Sequence, residues 1–507
     1  MLEQNLLTEI EKISKRKISA FEKYHNGQQV SWNRREKIYG DSADKKKIKR
    51  PEHWDNNNMH NPYYVLKHSK EIAHSIFKKL ITESYKPREP FIRKIPKKDL
   101  GKFRSVNIFQ IPDEAVSYLV YSKLLQKNKH RLSSFSYAYR NDRNVHFAIQ
   151  DIALDMRGTP RIYIAEFDFK DFFGSINHNF IIDQYDNNGF MISKFERYVI
   201  RQFLEIDINL KDGEEYRGIA QGTSLSLFLA NMVCWELDKK FELNGLRFAR
   251  YADDTIIWSN DYSNISKAFS LINEFSKKAG VELNLVKSDG ISLLTSSDMN
   301  SELASKKENI DFLGYTITNE KISIKKMSEE KIKKQISYIL YQNLIQPINS
   351  PSWKSVKVPN SEEDIDLVRA IMQIRRYLYG NLNEKMLRNY ISGSYKRLNF
   401  KGIMSFYPLI DDEEQLKKLD KWLVSAISNA LKKRGKLLST KHPGIISNSK
   451  LYSLRGHDLL KYCKHIKIGK STIEIPSFLR IYLAIKEKVV TSGIEETMHP
   501  KSSDYNY

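Results

Sequence analysis

The sequence predicts an α+β core followed by an all-helical C-terminal domain, and three observations carry that expectation. Between about Asn61 and Thr318, helical patterns such as Asp113–Leu125 alternate with short strand signatures at Arg161–Phe167, Arg247–Tyr251 and Thr255–Trp258. Pro347, Pro351 and Pro359, with Asn and Ser between them, interrupt any long helix. Beyond Ser361, Leu367, Ile371, Ile374 and Leu378 recur at helical spacing, and similar patterns return at Leu416–Leu431 and Ile475–Val490. The expected units are an N-terminal helix with a basic mobile loop (1–60), the α+β core (61–318), a linker (319–360) and a basic helical domain (361–507). Within the first unit, helical spacing ends near Tyr24, and the polar, lysine-rich stretch Asn26–Pro51 reads as loop.

A chain of 507 residues is too long for one ordinary core. Its hydrophobic content of 41% is enough to fold, and its net charge of +22 points to a polyanionic partner, of which nucleic acid is the usual one. Cys234 and Cys463 lie far apart without metal-ligand spacing, so they read as buried or inert thiols in a reducing compartment and suggest no zinc site. No apolar run is long enough to span a bilayer, and the expected location is the cytoplasm, with no membrane partner.

The most informative segment is Tyr251-Ala252-Asp253-Asp254, flanked by two apolar runs. It reads as a β-hairpin with two carboxylates at its tip, held rigidly where a hard divalent cation could take their oxygens. An Asp pair is also ordinary turn chemistry, because Asp hydrogen-bonds its own backbone. Upstream, the strand Arg161–Phe167 delivers Asp168 at its end. Carboxylates on strands from separate parts of the chain can converge on a metal pair that transfers nucleotidyl groups.

Other segments follow in a fixed order. After Asp168 comes Phe169-Lys170-Asp171-Phe172-Phe173-Gly174, in which the Phe173 ring could lie under a nucleotide sugar and exclude a 2′-hydroxyl, while Phe172 reads as core. Arg217–Asn231 runs from a glycine-containing loop into an apolar helix; Gly222 permits close approach of a sugar or base, and Gln221 offers it a donor and an acceptor. Lys287, in Gly280–Ser288, could protonate departing pyrophosphate. Arg93–Val106 reads as two strands around the turn Lys98-Asp99-Leu100-Gly101, whose cations, among them Lys97 and Arg104, could clamp a triphosphate. Asp311–Ile317 reads as a strand or hairpin.

The ordered series Lys97–Arg104, Ser136–Arg140, Asp168–Ile176, Gln221–Asn231, Tyr251–Asp254, Gly280–Lys287 and Asp311–Tyr315 resembles the fingers and palm motifs of reverse transcriptases, over about half of the chain. The resemblance implies fingers and an antiparallel palm sheet with helices, with the helical domain in place of a thumb. It also implies two magnesium ions on Asp168 and Asp253, a carbonyl ligand from Phe169, and Asp254 as the second acid of the turn. By the same carry-over Lys97, Arg104 and Lys287 handle phosphates, Phe173 the sugar and Gln221 the pairing region, with Asp171 among the nucleotide-binding residues.

Departures narrow the choice. Ser226-Leu227 stands where many bacterial members carry Ser-Pro, and no Val-Thr-Gly thumb motif, nuclease, integrase or RNase H pattern follows. The layout is similar to the abortive-infection (Abi) polymerases of phage defence, in particular the kind carried on P2-like prophages. That resemblance implies a homo-oligomer making single-stranded DNA from deoxynucleoside triphosphates without a template, the product attached to a tyrosine of the protein. Tyr39 in its basic loop is the priming candidate, with Tyr505 and Tyr507 also qualifying. Two other readings stay open: a templated enzyme working from a bound RNA, as in retrons, and a non-catalytic nucleic-acid-binding protein on a polymerase fold.

Overall fold

The computed structural model describes residues 2–39, 48–96, 101, 103–206, 216–284, 288, 290–295, 305–349, 364–395, 397–441, 450–468 and 471–503. Its organising element is a five-stranded sheet in the order β5-β6-β3-β8-β9, formed by Arg247–Tyr251, Asp254–Ser259, Arg161–Phe167, Gly290–Thr295 and Lys306–Lys307. Neighbours are antiparallel except β8 and β9. The hairpin β1 (Phe91–Pro96) with β2 (Phe103–Ile108) stands apart from this sheet, and β4 (Phe169–Lys170) continues β3 to pair with β7 (Glu282–Leu283). β10 (Ile310–Phe312), β11 (Tyr315–Ile317) and β12 (Ile322–Ile324) form a small antiparallel meander. Leu313 and Gly314, both at positive φ, make the β10–β11 turn.

Strand alternation explains why the central sheet separates two cores. Ile162 and Ile164 of β3 with Ile256 and Trp258 of β6 point to one face, where they join the C-terminal helices in a single apolar cluster. Ala165, Phe167 and Ile257 point to the other, against a cluster holding Leu6 and Ile10 of the N-terminal helix and Val120 and Leu124 of the helix Ile111–Asn128. Each fully buried side chain of this size contributes about 1.5–3 kcal/mol, so the palm and the helical region are held by a shared interior.

The structure departs from the sequence reading in three places. The N-terminal helix runs from Leu2 to Tyr39, so the stretch from Asn26 is helical up to that point. Its buried face ends near Ile13, and the later turns are mostly exposed, which is why no apolar period marks them. The stretch expected as linker carries β12, the helix Lys326–Leu340, a π-helical turn at Tyr341–Ile345 and the short helix Gln346–Asn349. Ile332, Ile336, Leu340 and Leu344 supply its buried side. Among the described residues, the regular structure of the C-terminal region is helical apart from a two-residue ladder between β13 (Lys467–Ile468) and β14 (Ser471–Thr472). Both cysteines are buried, and burial pushes each thiol up to about 12. Among the described residues, no helix is long and apolar enough to cross a membrane.

Candidate active site

Register brings the acids together. β3 pairs with β6 so that Phe167 faces Thr255 and Glu166 faces Ile256. Asp168, one residue past Phe167, and Asp254, one residue before Thr255, therefore occupy opposing positions, roughly 5 Å apart at Cα by the usual spacing of such partners. Asp253 occupies the two-residue turn between Tyr251 and Asp254, which pair with one another. Asp168 and Asp253 are half-buried and Asp254 is exposed. Glu166, on the same face as Asp168, is paired with Lys307 Nζ at 2.7 Å.

The backbone of the turn is unusual. Ala252 has φ +63°, while Asp253 is not among the residues at positive φ. A positive angle at the first central position only is the pattern glycine normally fills, and an L residue with a Cβ pays about 1–2 kcal/mol for it. Arg250 holds the turn in that shape by donating from Nη1 to the Ala252 carbonyl at 3.1 Å. The guanidinium also grips both oxygens of Asp238 at 2.8 and 2.6 Å, Asn231 Oδ1 at 3.2 Å and Ser136 Oγ at 2.8 Å. Both members of the Arg250–Asp238 pair are 1% exposed. Burial alone would lower the arginine's pKa, but the Asp238 carboxylate beside it holds it above the usual value. Ser136, Asn231 and Ala252 lie in three of the motif segments, so one side chain ties those segments together.

Phe169 is 4% exposed. Asn284 donates its main-chain N–H to the Asp168 carbonyl at 2.8 Å. Bonded pairs alternate with non-bonded ones along an antiparallel ladder, so Phe169, opposite Leu283, is at a non-bonded position with its carbonyl turned away from β7. That side is the one on which β6 pairs with β3. Two carboxylates and a carbonyl form an all-oxygen donor set of the kind a small hard cation such as magnesium uses, with water and phosphate oxygens completing its shell. Among the described residues no three His, Cys, Asp or Glu side chains gather into a metal-holding group; a cation shared with a nucleotide does not require one.

The remaining predicted residues are distributed as follows. Asp171 is exposed, has φ +42°, and folds its carboxylate over Gly174, where an added Cβ would come within 2.3 Å of Oδ2. Phe173 is 5% exposed and joins the same apolar cluster as Phe172, at 2%, so burial does not separate the two rings. Gln221 is half-buried, and its carbonyl accepts from Asn107 N–H at 3.0 Å.

Gly222, at φ +126°, calls for a correction. An added Cβ would lie 2.0 Å from the Asn107 carbonyl oxygen, so glycine admits the backbone of β2 rather than a sugar or base. The loop is thereby stitched to the fingers hairpin. Arg104 lies in β2 opposite Ile95, with its side chain outside the described residues. Lys97 and Lys287 fall outside the described residues altogether, as do Tyr505 and Tyr507. Tyr39 is the last residue of the N-terminal helix, and its side chain is likewise outside them.

Sequence reasoning missed Arg250, Asp238, Asn231 and Ser136. The one local signal was an arginine sharing a strand face with Phe248, which is fully buried.

Residues 95–317 match the family model described as Reverse transcriptase (RNA-dependent DNA polymerase). No curated protein matches the chain. Solved structures with similarity include apo telomerase from Candida tropicalis truncated from its C-terminal domain, at 19% identity and TM-score 0.33 over 50% of this chain and 60% of that one. Telomerase from Candida albicans in complex with a TWJ fragment of telomeric RNA matches at 12% identity and TM-score 0.35, over 77% of this chain and 68% of that one. Apo telomerase from Candida tropicalis matches at 15% identity and TM-score 0.36, over 83% and 68%. The chain thus spans 60% of the length of the first of these. Over residues 95–317, therefore, the chain is similar to the reverse transcriptase family.

Proposed function

We propose that this chain is a magnesium-dependent DNA polymerase that transfers deoxynucleotidyl groups at the edge of its five-stranded sheet. The observation that carries this reading is the register of β3 on β6, which sets Asp168 opposite Asp254 and beside Asp253. Asp168, Asp253 and the Phe169 carbonyl would hold two Mg2+ ions, which activate a hydroxyl as nucleophile and neutralise charge on the triphosphate. Asp254 keeps the turn acidic and orients its neighbour. Lys97 and Arg104 would bind the phosphates, and Lys287 would give a proton to departing pyrophosphate. Phe173 contacts the sugar, with Asp171 and Gln221 around the nucleotide. Most of the rate then comes from positioning and preorganised charge.

The finer proposal is synthesis without a template, primed by a tyrosine hydroxyl of the protein, in a homo-oligomer acting in abortive infection against phage. Tyr39 is its priming candidate. The long helical region that follows the core in place of a thumb supports it. A second reading, synthesis on an RNA template, is favoured by the family model's description as an RNA-dependent DNA polymerase. Incubating the purified chain with magnesium and each labelled deoxynucleotide, without primer or template, separates the two on a denaturing gel. Label migrating with the polypeptide supports self-priming. Label that appears only when RNA is added, and only on free DNA, overturns self-priming in favour of the templated reading.

A further inference from the structure

Asp168 is held by a neighbour that the proposed reaction does not use. Asn284 donates its side-chain amide to Asp168 Oδ2 at 2.9 Å and its main-chain amide to the Asp168 carbonyl at 2.8 Å. Two bonds from one residue fix both the exit of the chain from β3 and the rotation of the carboxylate about its side-chain bonds. Asn284 follows β7 directly, so its backbone is set by the pairing of β7 with β4. The Ser288 hydroxyl adds a longer contact, accepting from Asp168 N–H at 3.4 Å.

We infer that Asn284 is a positioning residue for the Asp168 carboxylate, an inference that rests on the reading of Asp168 as a cation ligand. The chemistry of the partner explains its type. A lysine or arginine at 2.9 Å would neutralise the carboxylate and compete with a cation for its oxygens. A neutral amide orients the carboxylate through one oxygen and leaves its charge intact, and a carboxylate has acceptor sites beyond the one that bond occupies. Hydrogen bonds of this kind to a metal-binding carboxylate typically govern metal affinity by about 10–100-fold.

The test is direct Mn2+ binding to the full nucleotide-free chain, followed by electron paramagnetic resonance, for wild type, Asn284→Ala, Asn284→Leu and Asp168→Asn. Leucine approximates the volume of asparagine without a donor, and both Asn284 variants keep the main-chain bond, so folding is retained and is checked by circular dichroism. Both are expected to weaken Mn2+ binding about 10–100-fold, with the nucleotide KM at saturating metal unchanged. Wild-type binding in both Asn284 variants, with binding lost in Asp168→Asn, would overturn the role of Asn284 and leave the Asp168 reading standing. Undiminished binding in Asp168→Asn would overturn both.

Discussion

Arg250 and Arg434, the most deeply buried arginines among the described residues, make the same kind of contact in different halves of the molecule. Arg250 in the palm and Arg434 in the C-terminal region are each 1% exposed, each beside a carboxylate equally buried, Asp238 and Asp364. Each also donates to a main-chain carbonyl, Ala252 at 3.1 Å and Leu344 at 3.0 Å. In both, burial opposes the positive charge, but the carboxylates beside it hold the guanidinium's pKa above its ordinary value. The difference lies in what the carbonyl belongs to. Leu344 sits in the π-helical turn, and Asp364 caps the helix Ile365–Tyr379, so Arg434 joins helices to each other. Ala252 precedes Asp253, so Arg250 holds a strained turn whose acids reach the surface. One device serves architecture in the helical region and a reactive edge in the palm.

The comparison is sharpened first by activity. Asp253→Asn should lower nucleotide incorporation about 10³-fold with little change in melting temperature. Removing either arginine leaves a buried carboxylate uncompensated, so Arg250→Met and Arg434→Met should each cost about 3–5 kcal/mol in denaturant unfolding. Replacing the partner as well, Arg250→Met with Asp238→Leu and Arg434→Met with Asp364→Asn, should recover part of that stability. Activity should return only in the Arg434 pair, and equal recovery in both would mean that Arg250 serves architecture alone.

Where the two halves meet, pH gives a smaller effect. His146 Nδ1 is 3.0 Å from the Tyr315 hydroxyl, which donates to the Phe406 carbonyl at 3.1 Å. Burial lowers the His146 pKa to about 4. The unfolded histidine takes up a proton near its ordinary value while the folded one does not, so the unfolded state binds more protons between those limits. Stability conferred by His146 is therefore full above about pH 6.5 and falls by up to about 3 kcal/mol as pH drops toward 4. Unfolding midpoints of His146→Gln should lack this slope. The smallest effect is expected from Ala252→Gly: relief of the left-handed strain is partly offset by unfolded-state entropy, for a net gain under about 1 kcal/mol.

Much of the palm was legible because its strands alternate and its acids sit at strand ends. The bounds of β3 and β5 follow from the side-chain pattern, and each proves to be a strand over the residues that pattern marks. What was not legible depends on partners distant in sequence. Gly222 looked like an opening for a ligand because Asn107, which fills that space, is far upstream. Arg250 reads as one more cation until Asp238 closes on it from the preceding helix, Trp235–Leu243. The helix Lys326–Leu340 was obscured by the prolines beyond it, although Ile332, Ile336 and Ile339 carry its spacing. The N-terminal helix outlasts its apolar stripe, and a solvated helix leaves little pattern to read.

The claim on which the rest depends is that the end of β3 and the β5–β6 turn share bound cations. Anomalous scattering from crystals of the full chain grown with Mn2+ and a non-hydrolysable deoxynucleotide tests it. The account predicts peaks within about 2.0–2.2 Å of carboxylate oxygens of both Asp168 and Asp253. Ordered nucleotide with no peak between those two side chains would contradict it.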